Sequence, residues 1–215
     1  MKIGVLALQG AFFEHTQILR RIGVEAVEVR LPAHLDGLSA LILPGGESTT
    51  MRLLLDRWEL RRPILDLARE GAPVLGTCAG MILLARRIVD GDEPVLPLLD
   101  IDVRRNAFGR QLDSFETELD VPVLGDSHVH AVFIRAPIVE RAGPGVDILS
   151  ALPDGRIVAV RQGHILALAF HPELSGETRF HRLLATMAEE WESPGEGIGR
   201  RRHPLRRTAL AGDGG

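Results

Sequence analysis

Strand-sized apolar runs alternate with helix-spaced segments through the first half of the chain, and this alternation confines it to an α/β fold built on a parallel sheet. Lys2 to Leu8 reads as a strand. Residues 12–22 carry apolar side chains at Phe12, Ile18, Leu19 and Ile22, the spacing of one helix face. Residues 24–30 and Leu38 to Leu43 read as further strands, 49–70 as a helix interrupted near Pro63, Pro73 to Gly76 as a short buried strand, and Ala79 to Val89 as a helix. Strand, crossover helix and next strand in this rhythm imply right-handed connections and parallel pairing. After residue 95 short strands dominate, at 98–105, 114–119, 129–135, 146–150, 156–161 and 164–170, with turn signals such as Pro153-Asp154-Gly155 between them. The expected architecture is a three-layer α/β domain: a mainly parallel central sheet flanked by helices, with an antiparallel strand extension in the second half. A last helix near 176–192 closes a single domain over 1–192, and the Gly/Arg-rich, aperiodic stretch 193–215 reads as a mobile tail.

At 215 residues the chain is long enough for one such domain with a substantial core, and its 45% hydrophobic and 25% charged residues are those of an ordinary globular protein. A net charge of −4 gives no general reason to expect nucleic acid or an anionic membrane as partner. The opening MKIGVLALQG leads straight into a helical pattern, so it reads as a first strand rather than a signal peptide. No apolar stretch reaches the ~18 residues that a transmembrane helix needs. The one cysteine excludes an internal disulfide and suits a reducing compartment, so the cytoplasm is the expected location.

That cysteine, Cys78, lies in Gly76-Thr77-Cys78-Ala79-Gly80, between a buried strand and a predicted helix. The pattern is the cysteine counterpart of the G-x-S-x-G nucleophile elbow, in which glycines relieve crowding around a sharply turned nucleophile. Helix N-termini favour a thiolate through their unpaired amides. A buried, inert cysteine in a packing turn is the bland alternative, so the base has to be found elsewhere. Among eight histidines, His171 ends the run ILALAF and precedes Pro172, which biases it toward extended backbone. In extended chain residues two apart share a side, so Glu173 can lie beside the imidazole and orient it. Leu43-Pro44-Gly45-Gly46-Glu47-Ser48, between a strand and a helix, leaves backbone N–H groups available to a developing oxyanion. Gln9-Gly10 would lie on the same rim of the sheet.

LPGG, GTCAG and the terminal HPE together resemble the triad (class I) glutamine amidotransferases over roughly residues 1–190. Within that superfamily the chain is similar to the glutaminase subunits of pyridoxal 5′-phosphate synthase, through GVLALQGAFFEH (4–15), LPGGESTTMR (43–52), GTCAGMILLA (76–85), RNAFGRQLDSFE (105–116), FIRAP (133–137) and FHPEL (170–174). The resemblance implies Cys78 as nucleophile, with His171 and Glu173 as base and orienting carboxylate. It implies that Gly46, Glu47, Ser48, Arg105, Ile134 and Arg135 surround the substrate L-glutamine, and that the amides of Gly46 and Ala79 form the oxyanion hole. It also implies a synthase partner that receives the ammonia and raises the glutaminase activity, with no cofactor and no metal. Gln9, Gly10 and the 12–22 helix are candidates for sensing that partner.

Two rival readings keep the same fold: a non-catalytic regulatory or redox-sensing module, and a glutaminase serving a different synthase. Suitable chemistry at all three triad positions favours the enzyme. His128-Val129-His130 has the shape of half a metal site but no third clustered ligand. Ser48 lacks the second glycine of a serine elbow, Trp58 and Trp191 read as core or helix-packing residues, and the arginines near 200–207 read as a solvated tail.

Overall fold

β1 (Lys2–Leu6) is buried at every position except Lys2, as a strand covered on both faces must be. In the computed structural model, which describes residues 1–89, 91, 93–108 and 114–193, β1 pairs in parallel with β2 (Glu25–Val29) on one side and β3 (Ala40–Leu43) on the other. α1 (Phe12–Arg21) crosses from β1 to β2; a 3-10 turn at Pro32–Leu35 leads back to β3. α2 (Ser48–Arg57) and α3 (Arg61–Arg69) then lead to β4 (Val74–Thr77), which is parallel to β3. Because β2 and β4 lie on opposite sides of the β1–β3 pair, right-handed crossovers put α1 on one face and α2–α3 on the other. The connections reverse direction at this pair, and the crevice at the carboxyl ends of such strands is where α/β sheets bind ligands.

The second half adds α4 (Ala79–Leu84), β5 (Ala85–Ile88), β6 (Leu99–Arg104), β7 (Ser114–Leu119), β8 (Val129–Ile134), β9 (Ile138–Ala142), β10 (Asp147–Ala151), β11 (Ile157–Gln162), β12 (Ile165–Leu168), α5 (Pro172–Ser175) and α6 (Arg179–Glu192). β12 enters the sheet parallel to β4, and β11 pairs antiparallel with β12. The full order is β2-β1-β3-β4-β12-β11-β9-β6-β5, with β10 on β11. β7 and β8 form a separate two-stranded sheet.

The predicted mix of parallel core and antiparallel extension is present, with local differences. The expected helix over 79–89 stops at Leu84, where Ala85 turns extended and starts β5. There Ala85 and Ile88 are buried while Arg86 and Arg87 point outward, each paired with an aspartate of β6, Asp100 and Asp102. The run MILLARRIV is too short and too uniformly apolar at its start for periodicity to separate helix from strand. The 49–70 helix breaks at Trp58–Leu60 rather than at Pro63. Pro63 sits in the first turn of α3, where a missing N–H costs nothing. β9 and the 3-10 turn went unanticipated. Trp58 is not a core residue: it caps α2, is exposed, and has the Arg57 guanidinium over its ring. Trp191 does pack between helices, its Nε1 donating to the Glu70 carbonyl at the end of α3. Most of the expected tail, 194–215, lies outside the described residues. So do Gly109 to Asp113 of the RNAFGRQLDSFE stretch. Among the described residues no helix is long and apolar enough to cross a membrane.

A line of aromatic contacts ties the separate hairpin to the core. Phe115 on β7 stacks on Phe133 of β8 at 4.5 Å; Phe133 lies 5.5 Å from Phe170, and Phe170 5.8 Å from Phe180 on α6. A two-stranded hairpin is marginal alone, so this apolar spine is what holds it against the main sheet. Replacing the fully buried Phe133 with alanine removes the central link, and a loss of about 3–5 kcal/mol is expected. A denaturant midpoint unchanged from the parent would contradict this account.

Candidate active site

Three turns at the carboxyl ends of neighbouring strands bring the predicted residues together. β4 ends at Thr77, and Cys78 follows with φ +47° and ψ −103° before α4 begins. A non-glycine residue with positive φ is strained, and the glycines on either side show what the turn requires. A Cβ on Gly80 would strike the Leu43 carbonyl at the end of β3, and one on Gly76 would strike the Gly80 backbone. The Cys78 N–H is fixed by the Leu168 carbonyl of β12 at 2.8 Å, and its Sγ lies 3.8 Å from the Ile134 carbonyl of β8.

His171 stands just beyond β12, where its N–H donates to the Val132 carbonyl at 2.9 Å. Pro172 starts α5, so it is a helical turn and not the expected extended chain that places Glu173 beneath the imidazole, Nδ1 to Oε1 2.6 Å. Cys78, His171 and Glu173 are all buried, at 7%, 6% and 6% exposure. Burial works against a charge on His171, but the sulfur of Cys78 and the carboxylate of Glu173 outweigh it and lift the imidazole to about 10. Burial likewise pushes the Glu173 carboxyl up; His15 and His171 beside it win, and the group is held below its usual range.

The third turn follows β3. Gly45 packs directly against the His171 ring and the Cys78 Cβ, so no side chain fits there. Its carbonyl accepts from the Ala11 N–H at 3.0 Å. The peptide is planar and trans, so the Gly46 N–H points the opposite way. Gly10, with φ +88°, presses on the same carbonyl, and the Gln9 Oε1 accepts from the Glu47 N–H at 2.9 Å. The loop after β1 is thereby clamped to the loop after β3. Glu47 also caps α2, accepting from Thr49 N, Thr50 N and the Thr50 hydroxyl. The Thr50 hydroxyl, against slight burial and with the Thr50 and Thr49 amides adding to it, holds the Glu47 carboxyl at about 2.

These turns enclose a cleft of about 390 Å³ lined by Cys78 and His171, and by the predicted Gln9, Gly10, Gly46, Glu47, Ser48, Arg105, Ile134 and Arg135. Glu173 lies behind His171 rather than on the cleft wall. Ala79, 1% exposed, is also behind the wall, but as the first residue of α4 its N–H has no acceptor within the helix. Asn106, Ile82 and Leu174 line the cleft as well and were not anticipated. Asn106 and Arg135 share the positive φ of Cys78, at +46° and +43°. No sequence signal marks such backbone strain in a residue other than glycine. His15 and His181, buried beneath Glu173, also escaped notice, because a histidine in an amphipathic helix reads as packing. His128 and His130 stand on exposed chain, away from these turns. His130 bonds Glu118 and Glu116 through its two nitrogens, which raise its pKa, and His128 pairs with Asp120.

Comparison with known proteins agrees with this geometry. Residues 5–190 match the SNO glutamine amidotransferase family. The pyridoxal 5′-phosphate synthase subunit PdxT of Herpetosiphon aurantiacus is 59% identical over 186 residues, covering 85% of this chain and 98% of that one. PdxT of Dehalococcoides mccartyi strain CBDB1 is 57% identical over 196 residues, 90% of this chain and all of the relative. A crystal structure of a glutamine amidotransferase superposes with a TM-score of 0.82 at 48% identity, covering 87% of this chain and 98% of that chain. PurLQS from Thermotoga maritima, at 20% identity and a TM-score of 0.62, shares the fold. A match running from the first strand into the last helix, with the Cys78 turn, His171 and the Gly45-Gly46 loop all inside it, makes this chain a member of the SNO glutamine amidotransferase family.

Proposed function

We propose that this protein hydrolyses L-glutamine to L-glutamate and ammonia, and passes the ammonia to a partner synthase subunit that makes pyridoxal 5′-phosphate, vitamin B6. The observation that carries this reading is the Cys78–His171–Glu173 arrangement, opening on a cleft beside the Gly45-Gly46 turn. The similarity to the PdxT subunits supports the choice of partner and product. The domain that does this spans 1–192. A free thiol nucleophile must stay reduced, which suits the cytoplasm.

The Cys78 sulfur attacks the side-chain amide carbon of glutamine, its proton residing on His171. The amide oxygen becomes an oxyanion, received by the N–H groups of Gly46 and Ala79. His171 then protonates the departing nitrogen, the C–N bond breaks, and ammonia leaves behind a thioester. Water, giving its proton to His171, attacks the thioester and releases glutamate, and the sulfur is restored. Glu173 keeps the imidazole oriented and stabilises its charge throughout. Arg105 and Arg135, at the rim, suit the α-carboxylate of the substrate, since a guanidinium can engage both carboxylate oxygens. Gly46 and Ser48 line the same cleft. The carboxylate of Glu47 is committed to capping α2, so its contribution is to hold that turn in shape.

Gln9 and Gly10, clamped to the Gly45-Gly46 turn, are the residues through which a docked partner would act on the oxyanion hole. Activity is accordingly expected to rise when the synthase subunit binds.

Cys78→Ala is expected to bind glutamine but to lose ammonia release in the partner's presence by at least about a thousandfold. Undiminished release would end this reading. A second measurement addresses the base. By NMR titration the His171 ring should lose its proton near pH 10 in the parent, and distinctly lower in both Cys78→Ala and Glu173→Gln. The direction follows from the fact that each variant removes one of the two groups that hold the proton on the ring. An ordinary imidazole midpoint in the parent would show that the pair is not coupled.

A further inference from the structure

Two histidines lie beneath the triad, both completely buried, and the mechanism above uses neither. His15, on α1, has its Nε2 3.3 Å from Glu173 Oε2 and 3.1 Å from the Thr77 hydroxyl, one residue before the nucleophile. Its Nδ1 is 2.8 Å from Nε2 of His181 on α6. A continuous line of polar groups thus runs Cys78, His171, Glu173, His15, His181, drawn from α4, α5, α1 and α6. Glu173 Oε1 is satisfied by His171, but Oε2 is buried without an aligned hydrogen bond. His15 Nε2 is the group beside it.

We propose that His15 is a positioning residue for the base: its Nε2, hydrogen-bonded to the Thr77 hydroxyl, also faces the second oxygen of Glu173 at 3.3 Å, and His181 fixes the ring that carries it. The inference rests on the glutaminase reading for its kinetic consequences, though not for its geometry. Electrostatics select the tautomer. A lone pair on His15 Nε2 would face a buried carboxylate, whereas an N–H there can serve the Thr77 hydroxyl, which it reaches at 3.1 Å, and Oε2 beside it. His15 Nδ1 is then an acceptor, His181 Nε2 is its donor, and His181 Nδ1 is left bare. That nitrogen has no aligned hydrogen bond, and the Glu177 backbone is the one contact that favours a proton on the His181 ring against its burial. Burial keeps both rings neutral by lowering their pKa values. Catalytic hydrogen bonds are commonly long in an empty site and tighten when it is occupied, which accounts for the 3.3 Å separation.

The titratable groups around this line are Glu173, His171 and Cys78 on one side and His181 on the other, with Glu14 on α1 and Arg21 acting on His181 from a distance. Glu173 is the one whose titration His15 should govern. A donor beside Oε2 favours the ionised carboxylate, so its loss raises the carboxyl, and activity is then lost at a higher pH as the solution is acidified.

Two polar variants separate positioning from packing. The amide nitrogen of Gln superimposes on the Nε2 position of His, whereas that of Asn falls short of it. His15→Asn, assayed with the synthase subunit, should lose roughly tenfold in kcat with KM for glutamine little changed, and its acidic limb should move up by about one pH unit. His15→Gln should keep both kcat and the parent limb. If the two variants share the parent's acidic limb, or shift alike, the proposal is overturned. A readout on the unaltered protein is independent of activity: long-range ¹H–¹⁵N NMR should show His15 protonated at Nε2, and protonation at Nδ1 would overturn the assignment even if neither variant folds. Absence of ammonia release from the parent complex would count against the glutaminase reading, while the tautomer would still decide the placement of His15.

Discussion

Everything at the carboxyl edge of the sheet depends on backbone approaching backbone with no side chain between. Gly80 lies against the Leu43 carbonyl, Gly76 against Gly80, and Gly45 against His171 and Cys78, while Gly10 presses on the Gly45 carbonyl. These contacts join the turns after β1, β3 and β4 and bring the His171 loop beside them. A methyl group at any one of them would push apart the turns that meet there, and Cys78, His171 and the Gly46 amide share that junction. A displacement of an ångström is enough to cost a hundredfold in such a geometry. The glycines are therefore conditions of the chemistry as much as of the fold.

Charge inside this junction is handled by pairing rather than by exposure. A carboxylate as buried as Glu173 is costly unless it is compensated, and here an imidazole lies at each oxygen, His171 through a 2.6 Å hydrogen bond and His15 at 3.3 Å. The two imidazoles differ in state because their surroundings differ. His171 has a carboxylate on one side and the Cys78 sulfur on the other and is pushed toward its charged form; His15 has only one of these neighbours, lies deeper, and is pushed toward its neutral form. One ring faces the cleft beside Cys78, and the other lies behind the carboxylate.

What the sequence disclosed follows the range of the interactions concerned. Strand–helix alternation is written in local periodicity, so the parallel core from β1 to β4 was legible, as was the switch to antiparallel strands after residue 95. The site was legible where chemistry is concentrated in short motifs: the elbow around Cys78, the His171-Pro172-Glu173 turn, the Gly45-Gly46 loop. β5 was misread because MILLARRIV satisfies both periods until β6 supplies Asp100 and Asp102 as partners for Arg86 and Arg87, a contact made across the sheet edge. His15 and His181 are 166 residues apart and acquire meaning only when α1 and α6 are packed side by side. Trp58 reads from the sequence as a core or helix-packing residue, yet at the α2–α3 break it is exposed.

The distribution of backbone strain shows how the remainder of the molecule serves this edge. Among the described residues four other than glycine have positive φ, and three of them, Cys78, Asn106 and Arg135, line the cleft. Such conformations cost about 1–3 kcal/mol each and persist only where the surrounding structure over-determines them. At Cys78 the restraint is the Leu168 carbonyl and the buried α4 behind it. On the facing wall it is the β7–β8 hairpin, anchored through Phe133 and Phe170, and the Ala107 N–H donating to the Ala136 carbonyl, which ties the Asn106 turn to the Arg135 turn at 3.1 Å. The aromatic spine and the antiparallel extension thus act at a distance: they keep a second strained wall opposite the nucleophile, where a parallel sheet alone would leave its strand ends open to water.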